Sequence, residues 1–357
     1  MEGARRIGVE IGGAVYHGTL PRARRQGRRA WGQRSMTLLG LLILLSGLFV
    51  GWNLGANDAA NAMGTAVGAR VRTIREAVII VAVFSFLGAV TFGHRVIKTI
   101  GSGIVPLDQL ETGQATLIAL ASMLSAGVWL MWATYLKLPV STTHSAVGAV
   151  AGAGLVAGGV PIYWSKLLDI FLAWILTPIG AAICAYVLYQ ALRLIVLRFV
   201  SVPDKVWGWL LTASGMWMAF SWGANDVANA TGVMMGAGFA SPIVASILGG
   251  LSIVLGIATW GYRVMETVGT RITHLLPPTA FIAEVAAALN VYLYTLLGLP
   301  VSTTHSIVGA IFGVGLVFGR TAIDARTARD IVLAWAATPV AAGVVSAVLY
   351  LLLAQIL

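Results

Sequence analysis

Long apolar runs constrain this chain more than any other feature of its sequence. Residues 36–51, 77–92, 170–192, 242–260 and 331–353 reach or approach the ~20 residues that a helix needs to cross a ~30 Å hydrocarbon core. Hydrophobic residues make up 58% of the chain and charged residues 10%, whereas soluble domains average roughly 45–50% and about 25%. We therefore predict an all-α, multi-pass protein of the plasma (cytoplasmic) membrane.

Four short blocks occur twice in the chain, in the same order. The matched pairs are GANDAANA at 55–62 with GANDVANA at 223–230, GHRVIKTIG at 93–101 with GYRVMETVG at 261–269, PVSTTHS at 139–145 and 300–306, and LAWILTPIGA at 172–181 with LAWAATPVAA at 333–342. Transporters often arise from such repeats. We predict two repeats, 36–192 and 207–357, joined by a cytoplasmic linker at 193–206.

The repeats are predicted to have inverted topology, with about five membrane segments each. An odd number of segments turns the second repeat upside down. The loop with Arg70, Arg72 and Arg75 is basic, whereas its equivalent at 238–243 carries no charge, and cytoplasmic loops are the ones rich in Lys and Arg. The Gly-rich segment 139–158 is expected to be a broken or re-entrant helix at the central site.

Residues 1–35 contain eight of the 23 basic residues and no apolar run long enough for a signal sequence. We interpret them as a disordered basic tail, or as the product of a start codon placed too early, with Met36 as the true start. The net charge of +10 lies in this tail and beside apolar segments, which fits membrane orientation better than a nucleic-acid partner.

Two polar blocks interrupt otherwise apolar segments, and each is expected to break its helix. An aspartate inside a membrane span costs at least ~2.5 kcal/mol on insertion scales, so Asp58 and Asp226 indicate function. Both are candidate ligands of a coupling ion, Na⁺ or H⁺. The neighbouring amides are candidate substrate ligands: Asn57, Asn61, Asn225 and Asn229. A structural alternative is that these side chains satisfy backbone groups freed by a glycine break.

The PVSTTHS turns are predicted to bind an anion. Proline and hydroxyl residues suit the start of a helix, where free N–H groups attract anions. The candidate substrate donors are Ser141, Thr142, Thr143, Ser302, Thr303 and Thr304. Plain helix capping is the alternative. Because neither motif contains Lys or Arg, an anion beside two aspartates requires cations or protons to enter with it, which predicts symport.

Three further residues are weaker candidates. His144 and His305 follow the hydroxyls and could relay protons, or could simply be hydrogen-bonded within their helices. Glu284 lies inside an apolar segment and has no acidic counterpart in the first half, so it ranks below the aspartates as a coupling-ion ligand. The single cysteine, Cys184, provides no disulfide or thiolate site, and we expect no cofactor other than the coupling ion.

The duplicated GAND blocks, each followed by PVSTTHS, resemble the inorganic phosphate transporter (PiT) family over residues 36–357. The resemblance implies cation-coupled uptake of orthophosphate at a site built from both blocks and both turns. Animal members that use sodium carry a glutamate after a phenylalanine where this chain has Ser85 after Phe84, which leaves the coupling ion open. The short linker is similar to the compact prokaryotic form.

Other functions fit less well. An anion channel requires weak binding and no cation partner, which Asp58 and Asp226 argue against. A membrane metallohydrolase needs three or four converging ligands, and no HxxxH or HxxE pattern is present, so we expect no enzyme activity. A symporter of sulfate or another tetrahedral oxyanion is the closest rival. The expected partners are phosphate, the lipid bilayer and, as a homo-oligomer, further copies of the chain.

Overall fold

The computed structural model describes residues 9–11, 14–16, 22–135, 140–262, 265, 276–318 and 325–356. The chain divides into two compact units, Met1–Leu42 and Ile43–Leu357. In the first unit, strands β1 (Val9–Ile11) and β2 (Ala14–Tyr16) form an antiparallel hairpin. Helix α1 (Arg22–Asp58) begins in this unit. The interpretation of residues 1–35 as a disordered tail or a misplaced start stays a prediction.

The second unit is built from helices throughout its described residues. In the first half, α1 is followed by α2 (Ala60–Gly68), α3 (Ile74–Lys98), α4 (Thr112–Tyr135), α5 (Thr142–Val156) and α6 (Trp164–Leu192). The second half contains α7 (Asp204–Gly236), α8 (Pro242–Gly256), α9 (Pro277–Leu296), α10 (Thr303–Val317) and α11 (Ala325–Ile356). Short π-helical turns extend α3, α6 and α8, and a 3₁₀ turn, Leu107–Gln109, precedes α4.

Seven helical segments of the described chain are long and apolar enough to cross a membrane, which confirms the predicted all-α membrane protein. They are Leu38–Gly68, Ile74–Gly103, Thr112–Ala133, Trp164–Val196, Pro242–Gly261, Pro277–Leu296 and Val332–Ile356. Helices α5 and α10 have 15 residues each. At 1.5 Å per residue they extend only about 22 Å, too short for a ~30 Å core. Both therefore fit the short, non-spanning helices expected at the centre.

Each short helix packs against a long helix of the other half. A Cβ placed on Gly148 of α5 would lie 2.3 Å from the carbonyl oxygen of Pro339 on α11. One placed on Gly309 of α10 would lie 2.3 Å from that of Pro178 on α6. Such reciprocal contacts are those of a two-fold relation, and small residues allow the close approach. The orientation of the repeats across the membrane stays a prediction.

The two polar blocks differ in whether they interrupt their helices. In the first half, α1 ends at Asp58 and α2 begins at Ala60, but Ala59 keeps helical angles (φ −55°, ψ −30°). In the second half, α7 continues through the whole block. Gly223 serves close packing instead, because a Cβ there would lie 2.0 Å from the carbonyl oxygen of Ser85 on α3. The prediction of a break in the second block is therefore wrong.

Candidate functional site

Ser141 and Ser302 cap the two short helices. Ser141 Oγ accepts from the backbone N–H of His144 at 3.2 Å, and Ser302 Oγ accepts from that of His305 at 3.2 Å. These bonds set the start of α5 and α10. The N–H groups of the two threonines that begin each helix precede its first intrahelical bond and point along the helix axis. Of the two prolines that precede the turns, Pro139 lies outside the described residues.

Each aspartate is bonded to a threonine of its own half. Thr142 Oγ1 donates to Asp58 Oδ2 at 3.2 Å, and Thr303 Oγ1 donates to Asp226 Oδ2 at 3.3 Å. Both carboxylates are buried, with 3% of Asp58 and none of Asp226 exposed. The acids of the two blocks and the hydroxyls of the two turns therefore meet, as the sequence predicted.

Two amides connect the halves. Asn61 Nδ2 donates to Thr304 Oγ1 at 3.0 Å, and Asn229 Nδ2 donates to Thr143 Oγ1 at 3.0 Å. Each bond joins a polar block of one half to the turn of the other. Four threonines thus mark one centre to which both halves contribute.

Thr143 carries more bonds than its counterpart Thr304. Its hydroxyl faces the carbonyl oxygen of Val301 at 3.0 Å and Asp226 Oδ1 at 3.5 Å, besides accepting from Asn229. The side-chain oxygen of Asn229 is buried and has no hydrogen-bond partner among the described residues. It is an acceptor available to a ligand.

Asn225 fastens the segment that leads into α10. Its Oδ1 accepts from the N–H of Val301 at 3.0 Å, and its Nδ2 donates to Thr295 Oγ1 at 2.9 Å and to the carbonyl of Leu299 at 3.1 Å. With its amide groups used in this way, Asn225 positions the second turn. The equivalent segment near Asn57 includes residues 136–139, which the structure does not describe.

Glu284 lies in a separate polar cluster between α2, α7 and α9. It is fully buried and accepts from Thr65 Oγ1 and, at 2.7 Å, from Ser214 Oγ. Ser214 precedes Asp226 on α7 by about 18 Å of helix at 1.5 Å per residue. The structure therefore does not bring Glu284 together with the two aspartates, and its role as a coupling-ion ligand stays a proposal.

The histidines meet where the halves touch. His144 Nδ1 lies 3.0 Å from the carbonyl oxygen of Trp335, which Pro339 leaves unbonded because proline has no N–H. The ring of His144 packs on Trp174 at 3.8 Å, and its centroid is 4.5 Å from that of His305. The contact of His144 with the carbonyl oxygen of Trp335 gives this histidine a structural role. The proton relay through the two histidines stays a prediction.

Sequence reasoning missed several polar partners. Thr65 and Ser214 hold Glu284, and Asn290 joins the halves by donating to the carbonyl of Thr177 and to Ser306 Oγ, both at 3.0 Å. Each is a polar residue inside an apolar segment, which is a signal in itself. Nothing in a single sequence, however, tells which helix such a residue contacts.

No basic side chain neutralises the buried acids within the described part of the chain. The salt bridge found there joins Arg72 to Glu76 at 3.5 Å. No group of three or more His, Cys, Asp or Glu side chains converges among those residues. The centre instead offers carboxylate, hydroxyl and amide oxygens, which suit a hard cation, beside two helix N-termini, which suit an anion.

Comparison with known proteins points in one direction. The sequence profile described as the phosphate transporter family matches residues 54–204 and 201–346. A Pyrococcus furiosus protein, provisionally named a phosphate permease, is 35% identical over 391 residues, covering 87% of this chain and 95% of that protein. The Arabidopsis thaliana protein named inorganic phosphate transporter 2-1, chloroplastic, is 32% identical over 421 residues, covering 88% and 72%.

A solved structure is also similar. Its title is "The sodium-dependent phosphate transporter", and it superposes with a TM-score of 0.85 at 30% identity. The alignment covers 90% of this chain and 100% of that one. The likeness therefore extends over both halves of this chain.

Proposed function

Because the chain belongs to the phosphate transporter family, we propose that it takes up inorganic phosphate by secondary active symport with Na⁺. It is a multi-pass membrane protein, and we place it in the plasma membrane. Asp58 and Asp226 bind the coupling cations in this proposal. The helix N-termini and threonines of the two turns bind the phosphate.

One observation carries the coupling. Two carboxylates, one from each half, are buried beside hydroxyl and amide oxygens, and no described Lys or Arg pairs with them. A buried charge without a partner is costly, and a phosphate anion nearby would raise that cost by repulsion. Entry of Na⁺ lowers it, so anion and cation bind better together than either does alone.

The threonines connect the two ligands. A hydroxyl has one proton to donate and two lone pairs to accept with. Thr142 and Thr303 now donate to Asp58 and Asp226. When Na⁺ neutralises a carboxylate, the same hydroxyl can turn its proton to a phosphate oxygen while its own oxygen faces the cation. Binding of the cation therefore prepares the donors for the anion.

H⁺ is the second candidate for the coupling ion. Its support is Ser85, which stands where sodium-using animal members carry a glutamate. Ser85 is fully buried, and its Oγ bonds the carbonyl of Ala82 in its own helix at 3.3 Å, so it offers no acid in that place. The name of the similar solved structure, a sodium-dependent transporter, favours Na⁺.

Phosphate is favoured over sulfate on two grounds. The family and the relatives above are named for phosphate, and none of these names mentions sulfate. A protonated phosphate can also donate a hydrogen bond to Asp58 or Asp226, whereas sulfate has no proton to donate. The sulfate alternative therefore receives no support.

Uptake of labelled phosphate into proteoliposomes tests the proposal. An inward Na⁺ gradient should drive accumulation above the external concentration, and arsenate should compete while sulfate should not. If only an imposed pH gradient drives accumulation, the coupling ion is H⁺ and not Na⁺. Uptake that equilibrates without any gradient dependence would contradict symport. Asp204→Asn, an exposed site on α7, serves as the matched control for Asp226→Asn.

A further inference from the structure

An apolar groove of about 490 Å³ lies between α5, α6 and α11. Its lining includes Ala151 and Leu155 of α5, Phe171 of α6, and Val344 and Ala347 of α11. The groove is open, since Leu155 is 60% exposed and Val344 is 59% exposed. Because α6 and α11 are membrane spans, it opens at a depth where the solvent is hydrocarbon.

At the repeat-related interface, where α10 packs against α6, the chain has bulky side chains at the matching positions. The repeat pairs Ala151 with Phe312 and Ala347 with Tyr186. A Cβ on Gly148 and one on Gly309 lie at the same distance, 2.3 Å, from the facing carbonyl oxygen. The backbones of the two interfaces therefore have matching positions. The repeat-related interface therefore has two aromatic residues where the groove has two alanines. An apolar chain lying in the groove gains dispersion contacts with its walls.

One end of the groove lies beside residues typical of a membrane surface. Val156 and Leu167 line this end, and the preceding residues include Tyr163, Trp164 and Lys166. Trp164 is 64% exposed. Aromatic rings and basic side chains at a helix end favour the headgroup layer. The positive charge of Lys166 complements the phosphate of a lipid headgroup.

We propose that this groove binds one acyl chain of a phospholipid whose headgroup phosphate contacts Lys166. The chain extends from that end towards Trp174, which lines the opposite end. Trp174 is 9% exposed and packs on His144, the residue after Thr143. The bound lipid thus lies directly behind one wall of the central site.

Photolabelling of the full chain in nanodiscs tests the proposal. The probe is phosphatidylglycerol with a diazirine in one acyl chain, and labelled peptides are mapped by mass spectrometry. Labels should concentrate on residues 147–156, 167–174 and 339–347. The double variant Ala151→Phe, Ala347→Tyr introduces the two aromatic residues of the repeat-related interface and should lower this labelling by at least roughly tenfold, the equivalent of about two buried methylenes. Lys166→Gln should lower it about fivefold.

The control is Ala337→Leu, which also copies the other half, at an exposed site outside the groove. It should leave the labelling unchanged. If the double variant does not fold, Ala151→Leu gives a smaller change of the same kind. Labelling that persists in a folded groove variant would overturn the proposal. So would contacts between two copies in place of lipid, seen as cross-linked dimers through the same peptides.

Discussion

The two polar blocks have nearly the same sequence but unequal surroundings. Asp226 lies on an unbroken helix and faces hydroxyls of both turns, Thr303 and Thr143. Asp58 ends its helix, and among the described residues its hydrogen-bond partner is Thr142. A duplicated motif therefore does not make two equivalent sites. The second block, which is more tightly hydrogen-bonded, forms the fixed side of the centre. The first block forms the less tightly bonded side.

The first prediction concerns the acids and has the largest effect. Asp58→Asn and Asp226→Asn should each abolish Na⁺-driven accumulation, because asparagine keeps the size but loses the charge that the cation neutralises. Residual uptake should fall by at least ~100-fold at Asp226 and at least ~10-fold at Asp58, since hydrogen bonds to a charged group are worth about 1.5–3 kcal/mol each. Labelled uptake, normalised to folded protein, measures both.

Equal losses in the two variants would show that the two blocks contribute equally. If both asparagine variants still accumulate phosphate against a gradient, the aspartates have a structural role and not a coupling role. The control Asp204→Asn should transport normally.

The second prediction concerns access to the centre. Asn61 and Thr304 are half-buried, whereas their equivalents Asn229 and Thr143 are buried. In a Cys184→Ala background, Asn61→Cys should react with a small polar thiol reagent at least roughly tenfold faster than Asn229→Cys, because a reagent must reach the sulfur through water. Equal rates would show that both sides open alike. Faster labelling of Asn229→Cys in the presence of Na⁺ and phosphate would identify the alternate state.

The third prediction compares the cross-connecting threonines. Thr143→Ala removes the group that holds Asn229 and contacts Val301 and Asp226, so it should raise the KM for phosphate by about 10- to 100-fold. Thr304→Ala loses its bond to Asn61 and should raise the KM less than about tenfold. The matched pair Thr142→Ala and Thr303→Ala should have similar effects, with the ion dependence kept. A larger effect at Thr304 would reverse the assignment of the fixed side.

Much of the architecture could be predicted from the sequence. Apolar runs predicted the membrane spans, and the polar turn that opens the Gly-rich segment 139–158 predicted an irregular, re-entrant or broken helix, where the structure has the short α5. The division into two repeats stays a prediction. These properties depend on local composition and period. The continuity of α7 was not predictable, because Gly223 reads like a break when its packing partner on α3 is unknown.

The site was predictable in its members but not in its pairings. The sequence named both aspartates, Asn61, Asn229 and the threonines that meet, although their roles in binding stay predictions. It could not show that Asn61 bonds to the turn of the other half while Asp58 bonds to its own, because two copies of one motif are interchangeable in sequence. The bond from His144 to the carbonyl freed by Pro339 had a signal, a proline within a duplicated helical block, but its partner lies almost two hundred residues away.

The fourth prediction tests where the halves are alike. A Cβ on Gly55 would lie 2.0 Å from the carbonyl oxygen of Ile253, and a Cβ on Gly223 would lie 2.0 Å from that of Ser85. Gly55→Ala and Gly223→Ala should therefore destabilise the protein by similar amounts, about 1–3 kcal/mol each, through overpacking. Thermal unfolding in detergent measures this. Gly113→Ala, which meets no atom within 4 Å, is the control.

The fifth prediction uses the loops after the polar blocks and has the smallest effect. Arg70 and Gly238 occupy equivalent positions, and both have positive φ, 56° and 82°. Glycine adopts this conformation without steric cost, whereas another residue there costs roughly 1–2 kcal/mol. Arg70→Gly should therefore leave stability unchanged or raise it by up to about 1 kcal/mol, and Gly238→Arg should lower it by about 1 kcal/mol.

Arg70 occupies a position that favours glycine, and a need for its charge to orient the chain in the membrane explains this. Cysteines placed at Arg72 and Gly238 should then be labelled from opposite sides of the membrane, as the positive-inside rule predicts for inverted repeats. Arg75→Gln, which removes a charge from the first turn of α3 just after that loop and leaves the strained residue unchanged, separates charge from backbone strain. Arg70→Gly should resemble it in orientation and differ from it in melting temperature. If Arg70→Gly instead lowers the melting temperature, the side chain of Arg70 stabilises the fold by contacts of its own, and the two loops differ by more than charge.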